Sequence, residues 1–155
     1  MCLMLYAVLP NKLSELPQSA KSPYLSISEI NLSNDLYNIS SLFPDKQLYF
    51  IGTEEGCSCK FSIPKGLKDS DYESLPKDLI TEIIESSKKD IQRMNDLRMF
   101  CEDLISQTVD NKIELYGYWI GEELKLSDPV LYNIQSLFNP ENFYMEDKYY
   151  ILSRN

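Results

Sequence analysis

The apolar positions along the chain change their period from one stretch to the next, and each period predicts a different element. Cys2 to Leu9 is apolar but for one tyrosine, as a strand covered on both faces would be. Pro10 to Pro23 carries three prolines and three serines without periodicity and predicts a loop. Tyr24 to Ile30 then alternates, with Leu25, Ile27 and Glu29 on one side, which predicts a second strand with one polar face. Beyond it, Ser33 is placed to cap a short helix whose apolar positions Leu36, Ile39, Leu42 and Phe43 follow helical spacing, and Pro44 closes it. Leu48 to Ile51 reads as a third strand and Lys112 to Ile120 as a further one. Phe143 to Met145 and Tyr149 to Leu152, joined across Glu146-Asp147-Lys148, predict a closing hairpin.

Ser74 to Asp110 has no internal Gly or Pro after Pro76 and predicts one long helix. Ile80, Ile83, Ile84, Ile91, Met94, Leu97, Cys101, Leu104 and Ile105 form its apolar stripe, while Lys88, Lys89, Asp90, Arg93 and Asp96 fall mostly elsewhere. A helix of that length reaches about 50 Å, more than a domain of this size usually covers, so residues 75–110 either bend or pack on a second copy in a homodimer. Leu36-Tyr-Asn-Ile-Ser-Ser-Leu-Phe43 returns as Leu131-Tyr-Asn-Ile-Gln-Ser-Leu-Phe138, identical at seven of eight positions. Asp128 and Pro129 supply a cap and first-turn proline for a second short helix. The repeat fits an internal strand, helix, strand duplication, or two amphipathic helices of similar composition. The expected fold is a single α+β domain spanning 1–155, with a mixed sheet of five or six strands, two short helices and one long central helix.

Charge and composition narrow the function classes. The net charge of −9 is spread evenly along the chain, with no basic cluster to displace phosphate counterions, which disfavours direct nucleic-acid binding. An acidic domain is suited to a basic protein partner. The apolar start is too short for a membrane span and lacks a basic leader, so the cytoplasm is the expected location and the four cysteines are expected as free thiols or metal ligands. The chain has no histidine, which removes Ser-His-Asp and Cys-His nucleophile pairs and every imidazole ligand. An enzyme is therefore disfavoured.

Reactive groups crowd into Leu48 to Phe61, where an apolar run meets Gly52-Thr-Glu-Glu-Gly56-Cys-Ser-Cys59. Cys57 and Cys59, two apart, project to one side of an extended segment. With Cys2 beside them they are candidate zinc ligands, Cys101 or water completing the set. A disulfide-forming pair and plain packing are the other two readings, and Cys101 on the helix stripe reads as a small core residue. Glu54 and Glu55 would repel a phosphate, so the glycines Gly52 and Gly56 do not make a phosphate loop. A second Gly and Glu-Glu set, Gly117-Tyr118-Trp119-Ile-Gly-Glu122-Glu123, also ends a strand, and the four glutamates would form a divalent-cation site if the two strand ends met.

Met1-Cys2-x-x-Leu5, Gly52-x-x-x-Gly56-Cys57-x-Cys59-x-Phe61 and Glu114-Leu-Tyr-Gly-x-Trp119-x-Gly-Glu-Glu123 resemble, in that order, a family of short bacterial proteins of uncharacterised function. That pattern has a glycine after the second thiol and a cysteine between the Gly and Trp of the last motif, where this chain has Lys60 and Tyr118. The resemblance implies no activity. It implies that residue 2, the 52–61 loop and the 117–123 loop share one neighbourhood, which makes Cys2, Cys57, Cys59, Gly52, Glu54, Glu55, Gly56, Gly117, Tyr118, Trp119, Glu122 and Glu123 the candidate working surface. Two functions are expected from this: a small non-catalytic protein whose thiol loop serves binding or structure, or an acidic inhibitor or immunity-type protein that neutralises a basic partner.

Overall fold

The continuous apolar run at the chain's start becomes the strand β1 (Leu3–Leu9), near the middle of the sheet. The computed structural model describes residues 2–61, 73–138 and 149–154. Within them β2 (Leu25–Ile30), β3 (Gln47–Thr53), β4 (Lys112–Trp119), β5 (Val130–Asn133) and β6 (Tyr149–Ser153) join β1 in one six-stranded sheet of order β2-β3-β1-β4-β6-β5. Every neighbouring pair is antiparallel except β5 with β6, so the sheet is mixed. With the long helix α1 (Lys77–Gln107) and the one-turn helix α2 (Ile134–Leu137) this is the expected α+β fold. Phe143 to Met145, the first arm of the expected hairpin, lies outside the described residues; Tyr149–Ser153 pairs with β4 and β5 instead.

Strand alternation divides the core in two. Leu3, Leu5, Ala7 and Leu9 of β1, Tyr49 and Ile51 of β3, and Ile113 and Leu115 of β4 face Met94, Leu97, Phe100, Cys101, Leu104 and Ile105 of α1. Tyr6, Val8, Leu48, Tyr116 and Tyr118 face the other way, under Ile39 and Phe43. There Phe43 sets its edge against Tyr116 and Tyr149, with ring centroids 5.4 and 5.7 Å apart. Buried Tyr116 donates to Lys125 O, and half-buried Tyr149 to Glu114 Oε2.

Helix α1 begins after Pro76 and ends at Gln107, three residues inside each expected boundary, and is about 46 Å long. Its predicted stripe enters the core only in the second half. Leu79, Ile84 and Ile91 stay 41%, 43% and 49% exposed, whereas every residue of the helix that is fully covered lies at Asp90 or beyond. Among the described residues no helix is long and apolar enough to cross a membrane.

The two copies of the repeat do not occupy equivalent places. Ile39 and Phe43 cover the face opposite α1, while Ile134 and Leu137 pack on the α1 face. The first copy does not form the helix expected for it, and the second forms one turn that starts later than expected. In the first, Asn31, Asn34 and Asp35 bond the nearby backbone, the Asp35 carboxylate taking the N–H groups of Ile39 and Ser40, and Asn38 is left-handed with φ 55°. Such local bonds compete with helix, and only the 3-10 turn Ile39–Leu42 remains. In the second, Val130–Asn133 pairs with β6, so the cap is Asn133, whose side chain accepts from Gln135 N, and not Asp128.

The uneven burial of α1 sets unequal costs for equal truncations. Leu97→Ala is expected to lower stability by about 3 kcal/mol, and Ile84→Ala by less than about 1 kcal/mol, in urea unfolding. Similar losses at the two sites would mean that the first half of the helix is packed as tightly as the second.

Candidate functional site

Direct pairing of β1 with β3 runs from Leu9 opposite Gln47 to Leu5 opposite Ile51, and stops there, although β3 continues to Thr53 against β2. The 57–59 segment fills the gap. Ser58 Oγ accepts from Leu5 N at 2.9 Å and donates to Ile51 O at 2.6 Å, so one hydroxyl bridges the two strands where the direct ladder ends. Ser58 N donates to Leu3 O at 3.1 Å, and Leu3 N is directed at Cys59 Sγ at 3.0 Å. Ser58 is 1% exposed. The chain reaches this position through a turn in which Gly56 N donates to Thr53 O, while Thr53 N and Oγ1 both donate to Cys57 O. Gly56 has φ 85°, where side chains are rarely accommodated. The segment turns at 54–55 and bends at 56–58, so the thiols stand on a turn and not on an extended run.

On the outer side the same turn is tied to α1. Arg93, 2% exposed, donates from Nε to Glu54 Oε2 at 3.0 Å, from Nη2 to Glu54 Oε1 and to Glu55 Oε1, and from Nη1 to Asp90 Oδ1 at 2.7 Å. A buried guanidinium needs its donors filled, and three carboxylates fill them. These hydrogen bonds hold the Glu54 carboxyl below the usual carboxylate range. Glu54 and Glu55 therefore bind a cation of the chain itself. Beside Arg93 a cleft of about 600 Å³ opens, lined among others by Glu55, Lys60, Glu82, Glu85, Lys88 and Lys89. Its charges are mixed, and none of the thiols lines it.

The third segment arrives through β4. Trp119 stands opposite Leu3, and Ile120 N donates to Cys2 O, which carries the β1–β4 pairing to the first described residue. Gly121, with φ 97°, then turns the chain, and Glu122 N returns to Trp119 O. Cys2, the 53–59 turn and the 119–122 turn thus sit together at one end of the sheet. Not every candidate residue joins them. Gly52 is paired within β3 opposite Ser26, Gly117 within β4 opposite Leu5, and Tyr118 faces the opposite core with its hydroxyl on Glu122 O. Cys2 is exposed, Cys57 and Cys59 are half-buried, and Cys101 is sealed in the core, where burial pushes its thiol far up. Burial also raises the Cys57 thiol. Among the described residues no three His, Cys, Asp or Glu side chains come together as a metal-holding group, so the geometry adds nothing to the zinc reading.

Ser58 and Arg93 were not singled out by the sequence. Ser58 looks like a spacer between two cysteines. Arg93 had one usable signal: with Asp90 it stands three residues apart on the spacing that continues to Met94 and Leu97. Comparison of the chain with family models, with curated proteins and with solved structures finds no match.

The Arg93 cluster predicts a pH-dependent loss. Arg93→Met leaves Asp90 without its cation and Glu54 with only the half-exposed Lys89, 3.6 Å away, and is expected to cost about 2 kcal/mol near neutral pH. A carboxyl whose folded pKa is depressed contributes stability above its unfolded value, here 4.5, and loses it as pH falls through the lower folded value. The difference between wild type and variant, followed by urea unfolding, should be steady from neutral pH down to about pH 5 and narrow below 4.5. A difference that stays constant into acid would remove Glu54 from the account.

Proposed function

We propose that this chain is a non-catalytic binding protein that meets a basic protein partner through the sheet end formed by Cys2, the 53–59 turn and the 119–123 turn. The observation that carries this reading is the convergence of both Glu-Glu pairs there: one follows β3, the other follows β4, and both strands end beside the start of β1. Glu54 is engaged with Arg93, while Glu55 remains half exposed at its side chain and Glu122 and Glu123 are exposed. Half-buried Trp119, opposite Leu3 at the end of β4, adds an apolar contact. Carboxylates on a rigid backbone favour a cationic surface, and the net charge of −9 speeds the encounter.

The test compares two triple charge reversals in biolayer interferometry against small basic proteins. E55K/E122K/E123K should slow association by about tenfold or more at low salt, because rim charges act mainly on the encounter rate. Reversal of Asp78, Glu82 and Glu85 on α1 changes net charge equally and should have less than about a twofold effect. Equal effects would reduce the attraction to net charge alone, and no effect from the first set would reject the surface.

A further inference from the structure

We propose that Cys57 and Cys59 form a thiol–disulfide couple that exchanges with low-molecular-weight disulfides. Four observations carry it, and none depends on the binding surface proposed above. The two cysteines are separated only by Ser58 and lie in one turn of the backbone. The backbone between them is fixed in a bend: Cys57 O holds two hydrogen bonds from Thr53, and Ser58 is locked by Leu3, Leu5 and Ile51. The backbone that carries the two thiols is therefore held in place, which lowers the ordering cost of closing a bridge between them. Both residues are half-buried, so a small reagent has access to them that it lacks to Cys101. Finally, Leu3 N directs a hydrogen bond at Cys59 Sγ, which orients that sulfur at the start of β1.

The order of events follows from the surroundings. The N–H of Leu3 is aimed at the Cys59 sulfur, while burial raises the Cys57 thiol, so Cys59 attacks first. Its thiolate forms a bond to one sulfur of the small disulfide, the S–S bond breaks, and the departing thiolate takes up a proton. Cys57 then gives up its proton and attacks the Cys59 sulfur of the mixed disulfide, expelling the second small thiol. The two cysteines lose two electrons and two protons, and the small disulfide becomes two thiols. A bridge spanning the single residue Ser58 closes a small ring, which makes it labile and places it with exchangeable rather than structural disulfides.

The probe is oxidised glutathione, added in excess to the whole reduced chain, followed by denaturation, maleimide trapping and mass analysis of the intact chain and its peptides. The expected product has lost two hydrogens, has two of its four thiols protected, and maps to a link between Cys57 and Cys59. Cys57→Ser should instead accumulate one glutathione on Cys59, because the resolving thiol is gone. Wild type with all four thiols trapped, or with Cys2 bridged to Cys59, overturns the proposal, and the wild-type mapping decides even if the variant does not fold. Glutathione on Cys57 and not on Cys59 in the wild type overturns the order of attack.

Discussion

One buried hydroxyl determines how the working end of this protein is built. At the end of the β1–β3 ladder Ser58 stands between Leu5 and Ile51, taking the N–H of one and giving its own proton to the C=O of the other. Both backbone groups are in the core, where an unpaired donor or acceptor costs about 1–3 kcal/mol. Ser58 therefore cannot leave without exposing two such groups, and the residues on either side are held with it. Cys57, Cys59 and the Glu54-Glu55 pair owe their positions to this insertion more than to contacts of their own.

The opposite side of the turn is held by charge. Arg93 projects from the first buried turn of α1, and its donors are shared by Asp90 on the same helix and Glu54 and Glu55 on the turn. The turn is thus clamped between the sheet and the helix, and β4 supplies the remaining wall through Trp119 and Ile120. A surface built in this way is rigid, and rigidity lowers the cost of binding. It also fixes the bend of backbone that carries the two thiols, which lowers the ordering cost of intramolecular exchange. The same frame supports both proposals, although they use different atoms: carboxylates for the partner, sulfurs for the small disulfide.

Much of the fold was legible because strong periodicity depends on few neighbours. β1, β2, β3, β4 and α1 lie within a few residues of where the apolar pattern puts them. The repeated segment was misleading for a physical reason: Leu36-Tyr37-Asn38 and Leu131-Tyr132-Asn133 have helical spacing, but Asp35 captures the backbone of the first and pairing with β6 extends the second. The site was half legible. The glycines, acids and thiols marked the loops, since turns with positive φ need Gly56 and Gly121. What connects them was hidden, because the value of Ser58 lies in a gap between two strands and that of Arg93 in a loop some forty positions earlier in the chain. Single-sequence patterns report what a residue is, and these two matter for where the fold puts them.

The most direct measurement of this account is residue-resolved amide hydrogen exchange on the unmodified chain, read at Leu5 and Ser58. If the hydroxyl bridge and the Leu3 contact close the ladder, both amides exchange only by global opening, at the rate of Ala7 and Leu115 in the sheet centre. Exchange at Leu5 and Ser58 faster by orders of magnitude than at Ala7 would show that the 57–59 segment opens on its own, and would contradict the rigid end on which both proposals stand.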